Sequence, residues 1–253
     1  MNGYRAFIKK EWMENIRNYR LLIMFALFLI FGMLGPLSAK LMPELIATLT
    51  PDLQITMAEP TALDSWAQFY KNISQLGFSI MLILFSNCLA SEYAKGTLVN
   101  VLTKGLPKPA VVLAKFFVAA GVMTLSYWMC YGVTYGYTAY LWPDASLQHT
   151  TFAAFALWIM GILYLSMLIF GCVMFRQAFS SIVFSLAASV VLSLTAFVKQ
   201  MAAYSPIVLV SKNMDLLAGT AKPSELTIPV ILAVSLSAAF VYAAVAMFNQ
   251  KSA

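Results

Sequence analysis

Six long apolar runs, almost free of charge, dominate this sequence: Leu21–Ala39, Ile73–Ser91, Ala110–Leu141, Thr151–Phe175, Ser180–Val198 and Thr227–Phe248. An α-helix needs about 20 apolar residues to cross the hydrocarbon core of a bilayer, and these runs supply them. In lipid every backbone polar group needs an internal partner, so a spanning segment is a helix or a strand of a closed barrel. The runs lack the alternating polarity of barrel strands. The reading is an all-α integral membrane protein with six transmembrane helices. Composition agrees: 61% of residues are hydrophobic and 10% charged, against 45–50% and about 25% in soluble domains. That balance excludes an ordinary soluble enzyme and, more firmly, a disordered chain.

Sixteen basic residues outnumber ten acidic ones, for a net charge of +6. They lie beside the apolar runs, so the excess reads as membrane topology and contact with anionic headgroups, with no nucleic-acid partner. An even number of spans puts both termini on one side. With the termini cytosolic, the inner segments carry eleven basic residues against three acids, Glu11, Glu14 and Glu92; the outer segments carry five against seven. The positive-inside rule favours that orientation and predicts a multi-pass protein of the cell membrane with both termini cytosolic. Cys88, Cys130 and Cys172 all fall within apolar runs. They read as small buried hydrophobes, with no disulfide framework or metal site.

The chain reads as one transmembrane domain over residues 1–253. An interfacial helix covers 1–20, six spans cover 21–248, a cytosolic loop covers 92–109 and an outer segment covers 199–226. The first outer loop, about Lys40–Tyr70, contains Pro43, Pro51 and Pro60. The outer segment contains Pro206, Pro223 and an apolar stretch, Ile207–Val210, expected to dip back to the membrane interface. At the start, Tyr4, Phe7, Ile8, Trp12, Ile16 and Tyr19 recur at steps of three and four and share one helical face. Arg5, Lys9, Lys10, Glu14 and Arg17 fill the remainder. This is the pattern of a helix lying on a membrane surface. It serves as a topology anchor, or it also carries force from a cytosolic partner into the first span.

The loop after the second span, Ser91–Lys115, is the most informative segment. Glu92 stands where the span leaves the membrane. Gly96 permits a break in the helix. Thr97 suits the N-cap of a short helix over Leu98–Thr103, with Leu98, Val101 and Leu102 on one side. Gly105 and Pro107 end it, and Pro109 stands near the start of the next helix. A short semi-apolar helix in that position has little reason to be apolar unless something docks on it.

This segment resembles the signature of the permease subunits of type-2 ABC exporters, the ABC-2 family. Their pattern is E-x-x-x-G-T-L-x-x-L-L-T-x-P, then a basic residue, then a Lys opening the next span. The matching residues are Glu92, Gly96, Thr97, Leu98, Val101, Leu102, Thr103, Pro107, Lys108 and Lys115. One departure is Lys104–Gly105–Leu106, which adds length between the threonine and the proline. The basic amphipathic start, the six spans and Tyr204–Ser205–Pro206 in the outer segment extend the resemblance over nearly the whole chain.

The resemblance implies that the loop is a coupling helix inserted into a groove of a separate cytosolic ABC ATPase. Glu92, Lys95, Gly96, Thr97, Leu98, Val101, Leu102, Thr103, Lys104, Pro107 and Lys108 would form that junction. The interfacial helix, through Phe7, Ile8, Trp12 and Ile16, would share it. The resemblance also implies a second permease copy, or a related chain, and outward movement of a substrate such as an amphiphilic drug or peptide. ATP and Mg would be bound by the partner, with no cofactor on this chain. The sequence has no G-x-x-x-x-G-K-[ST] and so no phosphate-cradling loop of its own. It shows no catalytic constellation; the one histidine, His149, lies in a short outer loop and reads as a polar interface residue.

By themselves the residues leave other classes open: an ATP-independent carrier or channel, and a membrane scaffold or immunity protein. No run carries an acid or base near its centre, which disfavours an ion-coupled carrier. Tyr127, Tyr131 and Tyr135 are four apart on the third span. They pack the interior and feed an aromatic belt, or they line a path for an amphiphile. Ser181, Ser185, Ser189 and Ser193 on the fifth span mark close helix packing, or line a path at a dimer interface.

Overall fold

The computed structural model describes residues 2–49, 59–96, 103 and 105–250. Among the described residues the protein is all-helical, and six helices are long and apolar enough to cross a membrane. An N-terminal helix, α1 (Asn2–Arg17), leads into the first span, α2 (Arg20–Leu49). The second span is built of α3 (Ala62–Asn72), a π-helical turn (Ile73–Gly77) and α4 (Phe78–Lys95). The third, fourth and fifth spans are α5 (Lys108–Leu141), α6 (Thr150–Phe175) and α7 (Ala178–Thr195). Three short helices follow, α8 (Lys199–Ala202), α9 (Val208–Ser211) and α10 (Asn213–Leu217), then the sixth span, α11 (Thr227–Gln250).

Four of the spans follow the apolar runs closely; the first overruns its run, and so does the second. Its helix begins at Ala62, inside the segment read as the first outer loop, and α2 likewise continues into that segment as far as Leu49. The charge-free criterion stopped at Lys71, yet Trp66, Phe69, Tyr70 and Ile73 are buried at helical spacing while Lys71 stays exposed. The start of α3 is fixed by Thr61, whose backbone N–H and hydroxyl both donate to the Asp64 carboxylate at 2.8 Å.

The fourth span, α6, is the centre of the bundle. Leu157, Met160, Leu163 and Leu168 are fully buried on it, and α4, α5, α7 and α11 all pack against it. Close packing of spans rests on small residues. On α2, a Cβ added to Gly32 would lie 3.0 Å from the Cys130 carbonyl of α5. The Thr134 hydroxyl of α5 donates back to the Gly32 carbonyl at 3.2 Å. On α6, a Cβ at Gly171 would lie 3.2 Å from the Ser181 backbone of α7. Ser181 and Ser185 are buried there, so these two serines make a packing face. The three cysteines are free and buried.

The outer segment folds back on the bundle. Val208, Leu209, Leu216, Leu217 and Leu226 are buried, with α9 and α10 against α6. The dip expected of Ile207–Val210 is thus a cap over the end of the fourth span. Ser205 anchors it, sharing a 2.7 Å hydroxyl–hydroxyl bond with Thr195 at the end of α7. His149 is the residue before α6; its carbonyl accepts the first helical bond, from the Ala153 N–H at 3.0 Å.

Candidate functional site

Helix α1 is amphipathic in two senses. One face carries Phe7, Ile8 and Trp12 against the bundle, and the Trp12 ring lies where a Cβ on Gly121 of α5 would meet it at 3.1 Å. The same buried face carries two polar residues, Glu11 and Asn15. Ile16, at 54% exposed, and Tyr19, at 65%, stand open on the rest of the face. Asn18–Tyr19 leaves the α1 helix, with Tyr19 in the left-handed region at φ +57°. The chain then turns into α2 through a bond from the Ile23 N–H to the Tyr19 carbonyl. Such a conformation costs a non-glycine residue about 1–2 kcal/mol, so the joint is held by what surrounds it.

The charged residues of α1 meet two other helices. Lys115 lies seven residues into α5, about 10 Å along the helix from Lys108. Its side chain is 1% exposed. Its ammonium donates to both Glu11 oxygens at 3.1 and 3.0 Å, and stands 3.1 Å from Glu92 at the end of α4. Lys10 completes the cluster from the outside, at 3.0 Å from Glu11, 3.0 Å from Glu14 and 2.9 Å from Glu92. Three carboxylates and two ammoniums thus tie α1, α4 and α5 together at one point. The oxygens of Glu11, Glu14 and Glu92 lie within 4.8 Å of one another, close enough to share a cation. The two lysine ammoniums are the cations among them.

Electrostatics follow the geometry. Burial would lower the Lys10 pKa, but the Glu92 hydrogen bond and the charges of Glu11 and Glu92 outweigh it and hold the ammonium above its ordinary value. Burial would raise Glu14, but the hydrogen bond and charge of Lys10 outweigh it and hold the carboxyl below its ordinary value. A buried ion pair is not a large net source of stability, because desolvation opposes the Coulomb gain. Removing one member is what costs, since it strands a charge. Asn15 donates to the Glu11 carbonyl at 2.9 Å, while its Oδ1 has no hydrogen-bond partner among the described residues.

The loop leaves from this cluster. Gly96 ends α4 in the left-handed region at φ +65°, and Gly105 repeats that conformation at φ +84°. Neither has another atom within 4 Å of where a Cβ would be, so backbone conformation alone calls for glycine there. Pro107 is extended and immediately precedes α5, and the Lys108 ammonium donates to the Asn249 carbonyl of α11 at 3.3 Å. Lys95 is the last residue of α4, and Thr103 is exposed. Thr97, Leu98, Val101, Leu102 and Lys104, hence most of the expected short helix, lie outside the described residues.

Sequence reasoning singled out Glu92 and Lys115 but not Glu11 or Lys10. The signal was present: Glu11 is four residues after Phe7 and four before Asn15, between Ile8 and Trp12 on the apolar stripe. A carboxylate in that position is expensive unless it meets a cation. The tyrosines of α5 divide. Tyr127 is fully buried; its hydroxyl donates to the Ala154 carbonyl at 2.6 Å, and its ring packs against Phe69 and Trp128. Tyr131 stacks on Tyr135 and shares a bond with the Thr151 hydroxyl. Tyr135 alone is open, at 53% exposed.

Comparison with known proteins supports the membrane assignment. The chain is 23% identical over 167 residues to an uncharacterized transmembrane protein, YxlG, of Bacillus subtilis strain 168. The match covers 64% of this chain and about 65% of that protein's length. No protein-family model matches the chain. This is a multi-pass membrane protein.

Proposed function

We propose that this protein is the permease subunit of an ATP-driven ABC exporter of the type-2 class, working with a separate cytosolic ATPase. The observation that carries the reading is the junction of Lys10, Glu11, Glu14, Glu92 and Lys115. It locks the interfacial helix to both helices that flank the loop bounded by Gly96 and Gly105. A push on that loop reaches α4 and α5 at their roots. Ion pairs with little solvent around them are stiff, so α1 moves with those roots as one body. Tyr19 then carries the movement into α2. The loop, through Glu92, Lys95–Lys104, Pro107 and Lys108, is the contact with the ATPase, and ATP and Mg belong to that partner. Both termini face the cytosol of the cell, following the excess of basic residues on that side. The exposed apolar faces of α7 and α11 suit lipid or a second permease copy. The substrate leaves outward.

The test is co-purification from the native membrane in mild detergent, followed by mass spectrometry. A P-loop ATPase is expected with the wild type and absent with the Gly96→Pro, Leu102→Asp double variant. A triple variant, Lys115→Met, Glu11→Gln, Glu92→Gln, is expected to fold but lose stimulation of the partner's ATP hydrolysis. If the wild type brings down no ATPase under conditions that preserve ABC complexes, the exporter reading fails. A scaffold or ATP-independent carrier would then stand in its place.

A further inference from the structure

At the end of the bundle remote from the ion cluster, a pocket of about 210 Å³ lies among α3, the end of α5 and the start of α6. Thr138 in its lining is about 35 Å along α5 from Lys115. Three aromatic residues line the pocket, Trp66, Tyr135 and Trp142. Each is held by the fold. Trp66 packs against Phe69 and Tyr131, with ring centroids 5.4 Å away in both cases. Tyr131 in turn stacks on Tyr135 and covers one side of a residue that is otherwise half exposed. The Trp142 indole donates to the Pro60 carbonyl at 2.8 Å. The Thr138 hydroxyl shares a 2.7 Å bond with the Ser65 hydroxyl and ties α5 to α3. The walls are therefore set before anything enters, which lowers the cost of binding.

The sign of the local potential follows from the chain. No acidic or basic side chain is in the lining. Apart from His149, the one charge-bearing side chain between Lys115 and Arg176 is Asp144, exposed between the lining residues Pro143 and Ala145. Pro143 has no N–H, so it cannot take up the Ala139 carbonyl one turn back, and both residues line the pocket. This is the negative end of a 34-residue helix. Thr150 brings the positive end of α6 to the same pocket, and the two partial charges offset each other. Asp144 and the electron-rich faces of aromatic rings remain, and both favour a cation.

We propose that this pocket binds the ammonium head of a small organic cation. Fixed aromatic walls without a competing lysine or arginine complement a positive charge carried on an apolar group. The size suits a head group, since pockets for drug-sized molecules begin at about 300 Å³. The proposal rests on the pocket and not on the exporter reading.

The experiment uses the full chain in a maltoside detergent, which carries no ammonium group. The probe is radiolabelled choline in a scintillation proximity assay. Saturable binding of one choline per chain is expected. Tetramethylammonium should displace it. The neutral alcohol in which carbon replaces choline's nitrogen has the same shape without the charge and should not. Tyr135→Leu should weaken binding about fivefold, the worth of one cation–π contact. Tyr135→Phe should leave it unchanged, because the ring and not the hydroxyl is the partner. Ala139→Trp, which fills the pocket from an exposed position, should abolish binding. If that variant fails to fold, Ala145→Trp in the loop should do the same. Displacement by glycerophosphocholine would assign the ammonium to a lipid head group, and its failure to displace would assign it to a free cation. Absence of saturable binding to the wild type would overturn the proposal, as would equal displacement by the neutral alcohol. Loss of binding in Asp144→Asn with none in Tyr135→Leu would also overturn it, leaving a surface ion pair.

Discussion

The two ends of this bundle are held together by different physics. At the end where α1 packs, five charges converge and two of them, Glu11 and Lys115, are almost without solvent. At the other end, α9 and α10 cap the fourth span with Leu209, Leu216 and Leu217, all buried. The ion pair there, Lys212 with Glu225 at 3.0 Å, stands in the open. An apolar cap tolerates small shifts, because dispersion and burial are non-directional. A buried ion network does not; its members are satisfied together or stranded together. The first is suited to closing an end, the second to transmitting a displacement.

The comparison can be broken by mutation, beginning with the largest effect. Lys115→Met leaves the buried Glu11 and Glu92 carboxylates with Lys10 as their one shared cation and should destabilise the protein by about 3 kcal/mol, seen as a lowered thermal transition in detergent. A shift below 1 kcal/mol would mean that water already reaches the cluster. The triple variant that also neutralises Glu11 and Glu92 should recover most of the loss, since no charge is then left unpaired. Leu216→Ala in the cap should cost about 2–4 kcal/mol, and no acid or base elsewhere should compensate for it. Equal rescue of Leu216→Ala by neutralising a charge would erase the contrast between the two ends.

Smaller effects sharpen it. Glu14 is held below its ordinary value by Lys10. A lowered carboxyl stabilises the fold above its unfolded pKa and loses that contribution as pH falls through the folded value. Lys10 is held above its ordinary value, so its contribution is full below the unfolded pKa of 10.5 and is lost only as pH rises beyond it. Docking of α1 should therefore hold from mildly acidic to alkaline pH and loosen below about 4.5, the unperturbed value for Glu14. A spin label at Met13 should report the loosening, and Glu14→Gln should remove much of its pH dependence. The smallest effect belongs to Lys212→Ala. Glu225 is lowered by its hydrogen bond from Lys212 but is fully exposed. Thermal unfolding of that variant should match the wild type, as exposed pairs contribute little.

Most of the architecture was legible in the sequence, because the bilayer is a demanding solvent. It requires long apolar helices, and their number follows from composition along the chain alone. The amphipathic start, the two glycines of the loop and the folded-back outer segment were legible for similar local reasons: spacing, backbone freedom and proline. The N-terminal part of the second span is hidden in the sequence because Asp64 and Lys71 interrupt the run. Only the packed helix shows both charges outside while Trp66, Phe69 and Tyr70 point in.

Tertiary structure alone decided which polar residues meet. Glu92 and Lys115 are 23 positions apart and Glu11 is a further 81 from Glu92, so no local period relates them. The sequence by itself determined six helices, their order and the charge asymmetry of the two sides, since each depends on how a segment meets lipid or water. It could not determine that α1 turns a carboxylate inward onto α5, or that Tyr127 is sealed while Tyr135 is open. Those follow from which faces meet, and faces are chosen by packing between segments far apart in the chain.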